Sequence, residues 1–388
     1  MIWLHTHSPE TLRLLKRVPD EQVISFAGGL PAQECIPTTD LDAALKSLPR
    51  ECREQNYQYS WPEGVKSLQE QIAQRMTDRS MPTSDEEILI THGAQQALDI
   101  LAKYFALQKW SGVIESPTYF PAIETYEVNR VKFKTVRRNE EGLDFNALRQ
   151  HLSAAKSWMY VIPTGHNPTG LSLNLEQRQE LLALSAENGA LLIEDDVYGE
   201  LQYDAQELSL RTLSKAGIYI GSFSKILAPG LRVGWIAAEP ELIEQLLPIK
   251  HACDLQTNSM GQAVLSAYLE RCDLGEQVSR CRKIYRERRD ALLAALKKYF
   301  PPAARWTLPA AGFSLWVNAP HEGSPDNLLE AALDRGVAFE PGRPFIDKAP
   351  ADGVVFRLSF SMEPPERIAQ GIEILGGLLT SRRVCASL

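Results

Sequence analysis

Short apolar runs alternate with helical patterns between about residues 66 and 276, and this alternation constrains the fold of the 388-residue chain most strongly. It is typical of βαβ units, in which helices cover a mainly parallel sheet. Helical spacing predicts helices over 93–107 and 175–188, and a long helix over 275–299. The runs predicted to form strands are 87–91, 113–115, 159–162, 191–194, 218–220, 232–237 and, in a second domain, 354–360. The predicted fold class is α/β.

The composition argues against several classes of protein. A net charge of -8 provides no basic surface for nucleic acid. The first residues lack the basic and apolar regions of a signal peptide, and no run approaches the ~18 apolar residues that indicate a membrane span. The six cysteines lack the spacing of a metal site or a disulfide framework, which favours reduced thiols. We expect a cytoplasmic protein that binds no metal, nucleic acid or membrane.

Lys225 follows the strand predicted over 218–220 and lies in a polar loop, with Arg232 seven residues further on. A lysine amine can form an imine with the carbonyl of pyridoxal phosphate. Ser222, Ser224 and Arg232 could neutralise the phosphate through charge-assisted hydrogen bonds. An isolated Ser-Lys pair is more often a solvated strand end, so this interpretation depends on the other loops.

Three loops after other predicted strands carry unusual polar residues, at the edge where open α/β sheets bind ligands. Gly93 opens a helix whose first amides, at Ala94 and Gln95, could accept a phosphate. Tyr119 could stack on a planar ring. The Asn167 amide could donate to a phenolate oxygen or to a substrate carboxylate. Taken singly, each of these residues could instead serve only in packing or in a turn.

Carboxylates at 194–196 end a strand that is expected to be buried. A protonated ring nitrogen would stabilise Asp195 there, with Tyr198 nearby, whereas the alternative is an N-cap of the next helix. Arg357 lies in an apolar strand near the C-terminus, where it could bind a substrate carboxylate bidentately or pair with a neighbouring acid. His166 could be a base, but a loop histidine is more often a bystander.

Taken in order, these motifs resemble the fold-type I pyridoxal-phosphate aminotransferases of class I/II. The resemblance runs from 25–31 (SFAGGLP) to the arginine strand. It is closest to the kynurenine/2-aminoadipate and broad-specificity aromatic or branched-chain branch, together with the aminotransferase-like half of MocR regulators. It implies a large domain with a seven-stranded, mostly parallel sheet in a three-layer α/β/α sandwich, plus a small α+β domain. The domains we predict are an N-terminal arm with part of the small domain (1–44), the cofactor-binding domain (45–275) and the small domain (276–388).

The resemblance also implies a role for each motif residue, with Lys225 as the catalytic residue that forms the internal aldimine. Pyridoxal 5'-phosphate would be bound by Ala94, Gln95, Tyr119, Asn167, Asp195, Tyr198, Ser222, Ser224, Lys225, Arg232 and, from the neighbouring subunit of a homodimer with shared active sites, Tyr59. The substrate would be bound by Gly28, Gly29, Asn167 and Arg357. An aromatic, aliphatic or 2-aminoadipate-like L-amino acid would donate its amino group to a 2-oxo acid such as 2-oxoglutarate, in a ping-pong reaction.

Some positions depart from the family pattern and bear on the substrate. Glu340 and Arg343 flank Pro341 and Gly342, where apolar and small or acidic residues are usual. We hypothesise that Arg343 recognises a second charge on the substrate. The same set of cofactor-binding residues could also support lyase or decarboxylase chemistry, which is the alternative function. A non-catalytic MocR-like sensor is disfavoured, because motif 25–29 leaves no room before it for a DNA-binding domain and the chain is acidic.

Overall fold

The computed structural model describes residues 13–14, 16, 22–152, 156–204, 206–347 and 353–380, which form two sheets and their covering helices. The strands are β1 Ile24–Phe26, β2 Ile88–Thr91, β3 Ser111–Ser116, β4 Lys132–Asn139, β5 Gly142–Leu143, β6 Ser157–Val161, β7 Leu191–Asp195, β8 Ile218–Ser222, β9 Gly234–Ala237, β10 Arg305–Trp306, β11 Ser314–Ala319, β12 Val337–Pro341 and β13 Val354–Ser359. The α-helices are α1 Thr38–Ser47, α2 Arg50–Asn56, α3 Lys66–Asp78, α4 Gly93–Gln108, α5 Phe120–Val128, α6 Phe145–Leu152, α7 Leu175–Asn188, α8 Leu210–Leu213, α9 Pro240–Asp254, α10 Ser259–Arg271, α11 Leu274–Tyr299, α12 Pro325–Leu333 and α13 Pro365–Thr380.

The larger sheet has the order β2-β9-β8-β7-β6-β3-β4-β5. Its centre, from β8 to β4, is parallel, while β9 runs antiparallel to both of its neighbours. The predicted α/β fold with a mostly parallel sheet is therefore confirmed. The two-residue strand β5 extends the edge, which brings the sheet to eight strands rather than seven.

Both faces of this sheet are apolar, because successive side chains along a strand point to opposite sides. Ile114 and Ile193 belong to the hydrophobic cluster that contains residues of α4, α5 and α9. Their neighbours Val113 and Leu192 belong to a separate cluster with residues of α6 and α7. Burial on both faces explains why these strands appear in the sequence as continuous apolar runs.

The smaller sheet has the order β1-β12-β13-β11-β10 and joins the two ends of the described chain. Strand β1 pairs in parallel with β12. Strand β12 pairs antiparallel with β13, and this register places Glu340 opposite Arg357. The domain boundaries at 44 and 275 stay predictions.

Two features bear on function classes. Among the residues described, none of the helices combines the length and apolar character that crossing a bilayer requires. The cysteines in these ranges are free thiols, namely Cys35, Cys52, Cys253, Cys272 and Cys281, whereas Cys385 lies outside the described residues.

Candidate active site

A cavity of about 420 Å³ lies where the parallel strands of the large sheet end. Thirteen of the fourteen predicted site residues line it. These are Gly28, Gly29, Ala94, Gln95, Tyr119, Asn167, Asp195, Tyr198, Ser222, Ser224, Lys225, Arg232 and Arg357. The loops after β6, β7 and β8 and the strands β12 and β13 of the second sheet meet here, so one cavity combines residues from opposite ends of the chain.

One end of the cavity is suited to an anion. Helix α4 begins here, and His92 before it provides no side-chain cap, so the first-turn amides at Ala94 and Gln95 remain available. Gly93 has φ +73°, and a Cβ there would lie 2.8 Å from Arg232 Nη2. A glycine is therefore required for the guanidinium to approach the turn, where Nη2 donates to the His92 carbonyl at 3.0 Å.

The two predicted serines extend this anion site from the end of β8. The Ser222 hydroxyl accepts a hydrogen bond from the Ser224 amide at 3.1 Å, which fixes the turn that leads to Lys225. Both serines line the cavity, as does Arg232. Amides, hydroxyls and a guanidinium together form a donor set suited to a phosphate dianion.

Asp195, the last residue of β7, is buried, and its two carboxylate oxygens differ in their hydrogen bonding. Its Oδ2 accepts a hydrogen bond from the Tyr160 hydroxyl at 2.6 Å, whereas Oδ1 has no hydrogen-bond partner among the described residues. Burial raises the pKa of Asp195 to about 6, opposed by the hydrogen bond from Tyr160. A cation placed at Oδ1 would remove the cost of burying this charge, and a protonated pyridine nitrogen is such a cation.

Lys225 lines the cavity from the loop after β8. Its Nζ donates to the Gly29 carbonyl at 2.8 Å and lies 5.8 Å from the centre of the Tyr198 ring. Burial, aided by the positive charges of Arg357 and Arg232, lowers the pKa of Lys225 to about 8, while Asp195 opposes the change. The neutral amine, which is the nucleophilic form, is therefore a minor species near physiological pH but far more abundant than in an ordinary lysine.

Arg357 lines the cavity from strand β13. Its Nη1 donates to Asn167 Oδ1 at 3.0 Å, its Nη2 donates to the Ala27 carbonyl, and Glu340 Oε2 lies 3.6 Å from Nη2. The guanidinium also lies over the ring of Phe345, 5.1 Å from its centre. Because Nε has no partner among the described residues, one polar edge stays available to a substrate carboxylate.

His166 directly precedes Asn167 in the loop after β6, but it does not line the cavity. It is fully buried, its Nδ1 lies 2.8 Å from Thr169 Oγ1, and its Nε2 lies 3.4 Å from Glu115. Burial holds the pKa of His166 well below its ordinary value, and Arg138, which pairs with Glu115, adds to the effect. A neutral, enclosed imidazole supports the loop and is not placed to act as a base.

Two further residues singled out from the sequence lie outside the cavity. Tyr59 is 77% exposed and lines an open groove of about 950 Å³ beside Trp61, which is 76% exposed. Its predicted contact is with a neighbouring subunit, which a single chain does not test. Arg343 is exposed, in a short 3-10 helix after β12, and does not contribute to the cavity wall.

Two residues with evident roles were not predicted. Tyr160 lies within the run 159–162, which was interpreted only as an apolar strand, yet its hydroxyl binds Asp195. A tyrosine in a strand that is expected to be buried is the signal that could have identified it, because a buried hydroxyl needs a partner. Glu340 was noted only as a departure from a family pattern, and its side chain lines the cavity.

The residues present fit pyridoxal phosphate. The anion site, the unsatisfied Asp195 Oδ1 and the partly neutral Lys225 amine lie around one cavity, and each matches one part of that molecule: the phosphate, the ring nitrogen and the carbonyl. Tyr119, whose hydroxyl lies 3.5 Å from Gln95 Oε1, provides a ring on which the cofactor could stack. The fit is made by the protein's own donors and acceptors, with no metal required.

Comparisons with known proteins agree with this geometry. Residues 23–375 match the family described as Aminotransferase class I and II. The chain is 35% identical over 376 residues to aromatic-amino-acid aminotransferase 1 of Thermococcus litoralis, covering 94% of this chain and 90% of that protein.

Two solved structures share the whole architecture. The alpha-aminoadipate aminotransferase LysN of Thermus thermophilus, complexed with N-(5'-phosphopyridoxyl)-L-leucine, has a TM-score of 0.87 and 35% identity, covering 96% of this chain and 95% of that one. The kynurenine aminotransferase of Pyrococcus horikoshii has a TM-score of 0.88 and 32% identity, with the same coverage. The chain belongs to the class I and II aminotransferases and is a pyridoxal-phosphate-dependent enzyme of that family.

Proposed function

We propose that this enzyme transfers the amino group of an L-amino acid with an aromatic, aliphatic or 2-aminoadipate-like side chain to a 2-oxo acid such as 2-oxoglutarate. The observation that carries the proposal is the unsatisfied oxygen of buried Asp195, in one cavity with Lys225 and Arg357. The named activities of the relatives, on aromatic amino acids, alpha-aminoadipate and kynurenine, support this range of donors.

We assign the phosphate-binding role to the α4 amides, Ser222, Ser224 and Arg232. Asp195 would keep the ring nitrogen protonated, Tyr198 and Asn167 would donate to the ring oxygen, and Tyr119 would stack on the ring. When bound, pyridoxal phosphate supplies an electron sink for the carbanion formed at the substrate α-carbon.

The substrate would be held by its α-carboxylate on Arg357 and Asn167, beside the Gly28 and Gly29 backbone. This placement would direct the α-carbon towards Lys225 Nζ. The amine would move a proton from the α-carbon to the carbonyl carbon of the cofactor when the donor reacts, and in the reverse direction when the 2-oxo acid reacts.

Tyr160 has a positioning role that can be tested by removing one oxygen. Tyr160→Phe eliminates the hydrogen bond that opposes the raised pKa of Asp195, so the carboxylate should be protonated more readily and pair less well with the ring nitrogen. We expect cofactor affinity to fall by about three- to tenfold, more at pH 6 than at pH 8. Equilibrium titration of the apoenzyme with pyridoxal phosphate measures this. An unchanged dissociation constant at both pH values would contradict the role.

The lowered pKa of Lys225 predicts how cofactor uptake depends on pH. Only the neutral amine attacks a carbonyl, so the rate constant for covalent attachment should rise about tenfold per pH unit below pH 8 and level off above it. An ordinary lysine, with a pKa near 10.4, would give a rise that continues to about pH 10. Stopped-flow absorbance of apoenzyme mixed with cofactor distinguishes these profiles, and continued acceleration above pH 9 would contradict the lowered pKa.

A lyase or decarboxylase is the second candidate, because the same cofactor-binding residues would stabilise any α-carbanion. The two classes differ in what leaves the protein when a single amino acid is added without a 2-oxo acid. Amino transfer converts one equivalent of donor to its 2-oxo acid per active site and then stops. Continuous release of ammonia or carbon dioxide would establish the lyase class and refute the proposed transfer.

A homodimer with shared active sites forms part of the proposal. Three neighbouring aromatic side chains are largely exposed in the single chain: Tyr57 (78%), Tyr59 (77%) and Trp61 (76%). Contact with a partner subunit would remove them from water. Tyr59 would then contribute its hydroxyl to the partner's phosphate site. A cytoplasmic location stays a prediction from the sequence.

A further inference from the structure

The side chain of His92 has no part in the functions assigned above, yet it is firmly held. His92 directly precedes Gly93 at the start of α4 and does not line the cofactor cavity. Its side chain is 34% exposed, and each of its ring nitrogens has a hydrogen-bond partner. A histidine fixed at both nitrogens, directly before the glycine that Arg232 approaches, is placed to organise this turn.

The His92 ring is held in one orientation and one tautomer. The Asn258 amide donates to Nε2 at 3.2 Å, so the proton of the neutral ring lies on Nδ1, which donates to Asp254 Oδ2 at 2.8 Å. Asp254 ends α9, and Asn258 lies just before α10. His92 therefore fastens the start of α4 to the segment that joins two other helices.

Asp254 is itself fixed by two further donors. Lys250, whose side chain is fully buried, donates from Nζ to Oδ1 at 2.6 Å. Gln96 donates from Nε2 to Oδ2 at 2.6 Å, and its Oε1 accepts a hydrogen bond from the His92 amide at 2.8 Å. Burial raises the pKa of Asp254, but the hydrogen bonds from Lys250 and Gln96 outweigh it and hold the pKa below its ordinary value. Asp254 is therefore an ionised acceptor that keeps both the ring and the backbone of His92 in place.

The group that His92 holds in turn is the guanidinium of Arg232. Arg232 Nη2 donates to the His92 carbonyl at 3.0 Å, and Nη1 makes a longer hydrogen bond, of 3.3 Å, to the Pro229 carbonyl. Arg232 is exposed, so without these acceptors its long side chain would sample many rotamers. A carbonyl in a fixed position reduces the cost of ordering the guanidinium when an anion binds.

We propose that His92, fixed by Asp254, is a positioning residue for the cofactor phosphate, because its carbonyl sets the place of the Arg232 guanidinium. The inference rests on the proposed function, which assigns Arg232 to that phosphate. His92 would not touch the cofactor and would act through Arg232. Its contribution should therefore appear with a ligand that carries a phosphate and vanish with one that does not.

The test compares pyridoxal phosphate with pyridoxal, which has the same ring and aldehyde but no phosphate. Equilibrium titration of the full-length apoenzyme gives a dissociation constant for each ligand. The ratio of the pyridoxal constant to the pyridoxal phosphate constant measures the benefit of the phosphate. His92→Phe keeps a planar ring of similar size but removes both ring hydrogen bonds. We expect the ratio to fall on the order of tenfold, with the pyridoxal constant changed by less than about twofold.

A double-mutant cycle tests whether His92 acts through Arg232. Arg232→Met removes the guanidinium, and adding His92→Phe to that variant should change the ratio by less than about twofold. Asp254→Asn has nearly the same shape as the wild type and weakens the support of the ring, so it should lower the ratio in the same direction. His151→Phe is the control, because His151 is a half-buried histidine of α6 outside the cavity wall, and its replacement should leave the ratio unchanged.

Two results would overturn the inference while leaving the phosphate site intact. One is a wild-type preference for pyridoxal phosphate that His92→Phe and Asp254→Asn both leave within about twofold. The other is a fall in the ratio on His92→Phe that is equally large with and without Arg232. A wild-type protein that binds pyridoxal as tightly as pyridoxal phosphate would instead refute the assigned phosphate site, and this inference with it.

Discussion

Lys225→Ala is expected to lower the rate of amino transfer by about four orders of magnitude or more. The substitution removes the amine that would move the α-proton. The carboxylates of the described cavity wall, Asp195 and Glu340, lie against Tyr160 and Arg357 respectively and are not expected to replace it. His166 cannot substitute, because it is buried, neutral and outside the cavity wall. The measurement is the single-turnover rate of 2-oxo acid formation from a good donor.

A second readout separates chemistry from folding. Borohydride reduction of the wild-type enzyme should fix one cofactor per chain to Lys225, which mass spectrometry of the intact protein detects, whereas Lys225→Ala should gain no mass. Lys132→Ala, on the exposed side of β4, is the control and should behave as the wild type. A Lys225→Ala protein that retains more than about a tenth of the wild-type rate would show that another residue carries the proton.

Asp195→Asn is expected to lower kcat by about two to three orders of magnitude, with a smaller effect on KM. The amide has nearly the same shape as the carboxylate, but it cannot hold a proton on the ring nitrogen by charge. The carbanion at the α-carbon would then lose its electron sink, although the substrate carboxylate would still bind Arg357. The loss therefore falls on the chemical step.

Comparing kcat across several variants tests the role of Asp195 at the ring nitrogen more sharply than the kcat of Asp195→Asn alone. Tyr160→Phe weakens the support of Asp195 and should lie between the wild type and Asp195→Asn in kcat. Asp78→Asn removes an exposed charge near the end of α3 and should change neither kcat nor KM. Equal kcat values for Asp195→Asn and the wild type would refute a role for Asp195 at the ring nitrogen.

Much of the large sheet could be predicted from the sequence because its strands are buried on both faces. The helix predicted over 175–188 is observed with the same bounds, because the sequence has a capping residue at each end of it. Asn174 and Gln177 form a capping box at the start, and Gly189 ends the helix with φ +59°. These local signals explain why the bounds could be predicted from the sequence.

Strand β4 was missed for the opposite reason. Its residues alternate between exposed and partly buried, with Lys132 and Lys134 facing outwards, and it lies next to the short edge strand β5. A polar strand near a sheet edge lacks the apolar run that identified the central strands. Only its pairing with β3 shows that it belongs to the sheet.

The residues that line the cavity could be singled out individually from the sequence, but their mutual contacts could not. The sequence suggested that Arg357 would bind either a substrate carboxylate or a neighbouring acid. The structure places it beside Glu340, and its Nε has no hydrogen-bond partner within the part of the chain that the structure describes. Which of Glu340 and Arg343 faces the substrate depends on the register between β12 and β13. Register is a tertiary property that no local pattern in this segment encodes.

The central claim is that the amino group moves from one carbon skeleton to another through this cavity. The most direct measurement adds an amino acid labelled with ¹⁵N and an unlabelled 2-oxo acid to the purified enzyme, and follows the label by mass spectrometry. Amino transfer predicts that the label appears in the amino acid formed from the 2-oxo acid, in equal amount to the 2-oxo acid formed from the donor. Label released as ammonia, or retained by a donor that is racemised or decarboxylated, would contradict it.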